Sequence, residues 1–154
     1  MLTGGAVVSI YSDGRYLSAD LDFITLSRMD AIEEAMAGIG FTRGSGRYFS
    51  RLNTDLIVEF PPGPLSIGDA PVRSTRTIQV GSRTLNLLTP TQCVMDRLAA
   101  YYHWDDQQSL EQALLVAGRN DVDLAEIRAW SIREGMTKKY ATFRDRLMSD
   151  SEER

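Results

Sequence analysis

The chain has 154 residues, 43% of them hydrophobic and 25% charged, the proportions of an ordinary globular domain and not of a disordered, collagenous or disulfide-built chain. Its formal charge is −4, from 21 acidic and 17 basic side chains, which excludes a whole-surface attraction to nucleic acid and makes any polyanion site a local one. The single cysteine, Cys93, excludes an internal disulfide. No uncharged apolar run reaches the ~18 residues of a bilayer span, and the N-terminus lacks a signal pattern, so no membrane partner and a cytoplasmic address are expected.

In chain order, Leu2-Thr3 reads as the end of a strand running into Gly4-Gly5 and a short apolar helix over 6–11, stopped by Ser12-Asp13-Gly14. Asp20-Leu21-Asp22-Phe23-Ile24 alternates as a half-buried strand with both aspartates on one face. Ser27 followed by Asp30 predicts a capping-box start for a helix carrying Met29, Ile32, Ala35 and Met36 and ending at Gly38 or Gly40. Residues 47–51 and 55–60 read as a strand pair joined at Asn53-Thr54, and Pro61-Pro62-Gly63-Pro64 breaks the run. Two further strands, 77–80 and 84–88, flank Gly81-Ser82.

Thr89-Pro90-Thr91-Gln92 combines an N-cap, a first-position proline and a Gln three residues on, a strong helix start. Helices are expected at about 90–102, 106–117, 122–134 and 138–148, with breaks at Gly118 and Gly135 and a fraying polar tail from Ser149. The expected class is therefore α+β: a mixed sheet of roughly four to six strands flanked by helices in an α/β subdomain over 1–88, then a helical bundle over 89–154.

Three stretches carry chemistry. Residues i and i+2 of a strand share a face about 6 to 7 Å apart, so Asp20 and Asp22 can converge while Leu21 and Phe23 anchor the strand. Glu59, between Val58 and Phe60, adds a third carboxylate if its strand pairs beside the first. Such oxygens suit one or two Mg²⁺ (or Mn²⁺) ions. Gly4-Gly5 opening a helix offers backbone N–H groups and room for a phosphate. An ordinary amphipathic strand gives the same aspartate pattern; the double glycine and Glu59 tip the reading toward a carboxylate site. All but two of the basic residues are arginines, and the lysines, Lys138 and Lys139, lie near the end, which excludes a lysine nucleophile from the first 137 residues. Arg43, Arg47, Arg51, Arg73, Arg76 and Arg83 fall in acid-free stretches that concentrate positive charge in the first half. His103, in Tyr101-Tyr102-His103-Trp104, reads as a packed or helix-end residue, Cys93 as core, and Asp105 and Asp106 as caps of the next helix.

Gly4-Gly5, the short helix, Ser18-Ala19-Asp20-Leu21-Asp22-Phe23 and the later Glu59 resemble the nucleotidyltransferase superfamily that includes DNA polymerase beta. With Asp96-Arg97-Leu98 and His103-Trp104-Asp105-Asp106 downstream, the chain is similar to small bacterial nucleotidyltransferase-like proteins related to abortive-infection toxins. The resemblance implies a Mg²⁺-dependent transfer of a nucleotidyl group from an NTP to a protein, RNA or small-molecule acceptor, within a toxin-antitoxin or phage-defence setting. It implies Asp20, Asp22 and Glu59 as catalytic and metal-holding residues, and Gly4, Gly5 and Ser18 under the phosphates. Arg97 stands where larger families carry a lysine toward the triphosphate. Two alternatives remain at this level: a catalytically inactive module of the same fold that senses nucleotide or binds a partner, and a nucleic-acid binder using the arginine face. Relatives usually carry a helix and a full strand before the double glycine; with only Met1-Leu2-Thr3 there, an exposed edge around Leu2, Val7 and Ile10 is expected, covered by a homodimer or a partner in trans.

Overall fold

Alternating apolar residues generate short strands in the first half of the chain, and helical spacing takes over after Leu88. The structure, a computed structural model, describes residues 1–152 except Pro64 and Arg73; the last proline of the expected break and one member of the arginine group therefore lie outside the described residues. β1 (Leu2–Thr3) runs directly into α1 (Gly4–Tyr11), followed by β2 (Asp20–Phe23), α2 (Met29–Ala37), β3 (Thr42–Arg43), β4 (Tyr48–Ser50) and β5 (Ile57–Glu59). A small hairpin, β6 (Ser66–Ile67) and β7 (Ala70–Pro71), precedes a longer one, β8 (Arg76–Val80) and β9 (Arg83–Leu87). Then come α3 (Pro90–Trp104), α4 (Gln107–Ala117), α5 (Leu124–Arg133) and α6 (Thr137–Glu152).

Seven strands form one mixed sheet in the order β3-β4-β5-β2-β1-β9-β8, and β6-β7 stands apart. The β2–β5 and β1–β9 pairs are parallel, the others antiparallel. The expected α+β class, a mixed sheet flanked by helices and followed by C-terminal helices, is what the chain forms. The sheet exceeds the expected strand number through two-residue elements such as β3, which are too short to show alternation in sequence.

Strand parity builds the core. Phe49 and Val58 meet Ile32 and Met36 of α2 in one apolar cluster, where Phe60 stacks on Phe23 at 6.0 Å and meets Phe49 edge-on at 5.5 Å. The larger cluster joins Leu2, Val7 and Leu87 to Val94, Leu98, Trp130 and Phe143, so a single core crosses the seam at Thr89. Two hydrogen bonds stitch the same seam: the Tyr11 hydroxyl donates to the Leu88 carbonyl at 2.6 Å, and Asn120 Nδ2 donates to the Tyr11 carbonyl at 2.9 Å.

The caps explain where the helices begin. Thr89 and Gln92 form a full capping box, each side chain accepting from the other's backbone N–H, with Pro90 at the first position. Asp106 and Asp123 cap α4 and α5 through Ser109 N–H and Glu126 N–H. Three local expectations are corrected. Ser27 does not cap α2, because its N–H and hydroxyl are both engaged by the Thr25 hydroxyl and the helix starts one residue later, after Arg28. Asp105 does not cap α4 but ends α3 in the left-handed region at φ +56°. The last helix, expected to end near 148, continues through the start of the polar stretch to Glu152.

The exposed N-terminal edge is also corrected. β1 lies between β2 and β9, so it is an interior strand. Leu2 and Val7 are buried by the chain itself, and Ile10 is the one of the three that stays exposed, at 36%. No described helix is long and apolar enough to cross a membrane.

α3 carries much of the core and starts at the capping box, so Thr89→Ala should cost about 1 kcal/mol of stability. Urea unfolding read by circular dichroism checks this; a midpoint equal to wild type would show that the cap contributes nothing.

Candidate functional site

The carboxylates are brought together by register. β2 and β5 run parallel with Asp20 opposite Ile57, Leu21 opposite Val58 and Asp22 opposite Glu59. Aligned residues of neighbouring strands project to the same side, on backbones about 4.8 Å apart. Asp20, Asp22 and Glu59 therefore share one face, while Leu21 and Val58 turn into the core. Thr3 stands opposite Asp22 on β1, and Tyr48 opposite Glu59 on β4. Among the described residues none of the three carboxylates has an ion-pair partner. Among the described residues, no three His, Cys, Asp or Glu side chains stand close enough together to hold a metal ion as placed.

Crowding leaves a mark on Asp22. Partial burial and then the charges of Glu59 and Asp20 push its carboxyl above the ordinary aspartate value; Arg97 opposes this and Asp96 adds to it. Tyr48 feels the same field, its phenol raised first by the charge of Glu59 and then by a hydrogen bond to it.

Gly4 and Gly5 are required by close approach. Gly4 has φ +67°, and a Cβ there would run into the Asp22 carboxylate. A Cβ on Gly5 would lie 2.9 Å from Ser18 Oγ. Helix α1 thus starts against β2, and the glycines are themselves its first turn. Its N-cap residue, Thr3, gives that turn no side-chain cap, because its hydroxyl donates to the Asp22 carbonyl at 3.3 Å. The first turn contains no acidic residue. Its N–H groups keep the partial positive charge of a helix start without a side chain to neutralise it.

Ser18 serves the backbone. Its hydroxyl donates to the Asp20 carbonyl at 2.9 Å and accepts from the Asp20 N–H at 3.3 Å, and its own N–H donates to Ser9 Oγ at 3.0 Å. It fixes the approach of β2 to α1. Arg97 lies within the electrostatic reach of Asp22, but its guanidinium is already used: Nε donates to Asp96 at 3.0 Å and Nη1 to Gln112 at 3.4 Å. Burial works against its charge and the adjacent Asp96 more than offsets this, leaving its pKa above the ordinary arginine value.

The arginine group is dispersed among internal contacts. Arg43 donates to Gly46 and Glu33, Arg47 to the Phe60 carbonyl, and Arg76 lies 5.6 Å over the Tyr11 ring. Arg47 and Arg51 flank β4, which is shorter than the strand expected over 47–51. Cys93 is buried in the core as expected, its thiol pushed up by desolvation.

Three residues matter that sequence reasoning passed over. Tyr48 and Asp96 reach the carboxylate face only through pairing and helix placement; the motif's Asp96-Arg97 was visible, but its coupling to Asp22 was not. Glu134 bonds His103 across 31 positions, and nothing local announces that. Comparisons with protein-family models, curated proteins and solved structures each return no match.

Because the Asp22 carboxyl is raised in the fold, its ionised form opposes folding. That group stabilises only below the unfolded aspartate value of about 3.9, and its contribution is lost as pH rises through the raised folded value. Asp22→Asn should therefore melt higher than wild type at pH 7. The gain is at most about 2 to 4 °C, what roughly 1 kcal/mol gives at this length, since solvent screens part of the repulsion. Calorimetry at pH 7 and near pH 3.5 checks it, with the difference shrinking at acid pH; a variant that melts lower at pH 7 would refute the crowding.

Proposed function

We propose that the chain is a divalent-cation-dependent phosphoryl-transfer enzyme of the nucleotidyltransferase type. In particular, it transfers the nucleotidyl group of an NTP to an acceptor hydroxyl on a protein, an RNA or a small molecule. One observation carries the reading: Asp20, Asp22 and Glu59 stand on one face of two parallel strands in direct register, beside a helix opened by two glycines.

In ligand chemistry the donor set suits Mg²⁺ or Mn²⁺, and the three carboxylates would close on the ion from where the strands place them. The set is all carboxylate oxygen, it lacks ion-pair partners among the described residues, and its mutual repulsion at Asp22 is of the kind a cation relieves. Asp20, Asp22 and Glu59 would hold the ion, which when bound supplies charge neutralisation on the phosphoryl oxygens. The first-turn N–H groups of α1 receive an NTP phosphate, and the absent side chains at Gly4 and Gly5 let it come close. Glu59 takes the proton of the acceptor hydroxyl as that oxygen attacks the α-phosphorus; the bond to the bridging oxygen breaks and pyrophosphate leaves with the electron pair. Tyr48, opposite Glu59, holds that carboxylate in place.

One observation favours the second reading, an inactive module that senses nucleotide. Arg97, whose charge reaches Asp22, is already bonded to Asp96 and Gln112.

A thermal-shift titration of each NTP with and without Mg²⁺, followed by incubation of labelled NTPs with total cell extract, separates the two. The expected result is saturable, Mg²⁺-dependent stabilisation and label on one class of acceptor, reduced at least about a hundredfold in Asp22→Asn and Glu59→Gln. Stabilisation without label transfer supports the sensing module. No NTP effect at all sinks both.

A further inference from the structure

A cleft lies between α3 and the β6–β7 hairpin. Its volume is about 340 Å³, and its walls include Asp96, Arg97, His103 and Trp104 from α3 and Ile67 and Gly68 from the hairpin. That volume is within the ~300 to 1,000 Å³ range of small-molecule sites. Asp96 and Arg97 line it, and the Asp22 carboxyl feels both of their charges.

The two walls are fastened together by one carboxylate. Glu134, with a side chain only 9% exposed, accepts from the Asp69 N–H at 3.2 Å and meets His103 Nε2 at 3.3 Å. Gly68 makes room for it: the residue has φ +58°, and a Cβ would run into the Glu134 carboxylate. Trp130 adds a second strap, its indole N–H donating to the Ile67 carbonyl at 3.3 Å. An ionised carboxylate only accepts, so a neutral His103 carries its proton on Nε2 and offers Nδ1 as an acceptor.

The end of α3 is equally fixed. Lys139 Nζ donates to the Tyr101 and Tyr102 carbonyls at 2.8 and 3.0 Å and to Asp105 Oδ1 at 2.8 Å, beside the left-handed Asp105 that stops the helix. Trp104, the last helical residue, is nonetheless 77% exposed, with His103 edge-on at 6.0 Å. An indole left in water on a braced helix end, beside an imidazole acceptor, offers a stacking face and a polar anchor to a flat ring.

We infer that this cleft binds a nucleobase, stacked on Trp104 with a ring N–H or amino group donating to His103 Nδ1. The inference deepens the nucleotidyltransferase reading and rests on it for the choice of a nucleobase among flat heteroaromatic rings. The base belongs either to the NTP or to an RNA acceptor.

Calorimetric and ligand-observed NMR titrations test it with free nucleosides, Mg²⁺-NTPs and a short single-stranded RNA, against wild type, Trp104→Ala, His103→Ala and Asp22→Asn. Free nucleosides lack phosphate and so report the cleft alone. They should bind wild type and Asp22→Asn alike, weakened about tenfold by Trp104→Ala and about three- to tenfold by His103→Ala. If NTP affinity falls with Trp104, the base is the nucleotide's own; if only RNA affinity falls, it is the acceptor's. Nucleoside binding with no divalent-dependent NTP binding keeps this inference and removes the enzymatic reading. Binding of nucleosides, NTPs and RNA that is indifferent to Trp104→Ala and His103→Ala, or absent up to millimolar concentration, overturns it. Trp104 makes few buried contacts, and a circular dichroism spectrum matching wild type shows that its loss is read as binding and not as unfolding.

Discussion

The contact of Gly4 with the Asp22 carboxylate is the constraint on which the rest of the site depends. β1 and β2 pair antiparallel with Thr3 opposite Asp22, and the chain turns into α1 at the next residue. A side chain at Gly4 would displace that carboxylate, and a right-handed backbone there would point the helix elsewhere. The register on the other side of β2 then does the remaining positioning, since pairing Asp22 with Glu59 turns both to the same face. A slip of one residue along β5 would bury Glu59 and expose Val58, which the apolar cluster with Phe49 and α2 forbids. The apolar face thus fixes the polar one.

This arrangement concentrates negative charge where the fold gives it little relief. The cation whose charge reaches Asp22 is bonded elsewhere, Arg97 to Asp96 and Gln112. Placing like charges together on a half-buried surface costs folding free energy, a cost that the cation of the proposed function would relieve. The uncapped first turn of α1 stands beside it with the opposite polarity, so negative and positive fields adjoin within one strand-helix-strand unit.

The helical half supplies a wall to this unit and shares its core. α3 inserts Val94 and Leu98 beneath the sheet residues Leu2 and Leu87, and its far end is braced by Lys139 and by the Glu134 bridge to the β6–β7 hairpin. Rigidity at that end comes from hydrogen bonds between distant segments. It holds His103 and Trp104 at the mouth of a cleft bounded by the same Asp96-Arg97 pair that influences Asp22.

The sequence by itself determined the α+β class, most helix boundaries and the candidate carboxylates, because those follow from short-range rules: alternation in 20–24, the Thr89-Pro90-Thr91-Gln92 cap, the glycines at 118 and 135. Asp20 and Asp22 are two apart on one strand, so their shared face was legible without coordinates. Whether Glu59 joins them was not, since that depends on which strand neighbours β2 and in what register, a choice made by packing of Phe49, Val58 and Ile32. Tertiary structure alone decided that β1 is interior, that Ser18 and Arg97 are occupied by backbone and side-chain partners, and that β3 and the β6–β7 hairpin exist. Two-residue strands carry no periodic signal of their own and form only where a neighbour offers hydrogen bonds. The pairing of His103 with Glu134 has the same origin: a contact between residues 31 positions apart is set by how helices dock, and no local spacing encodes it.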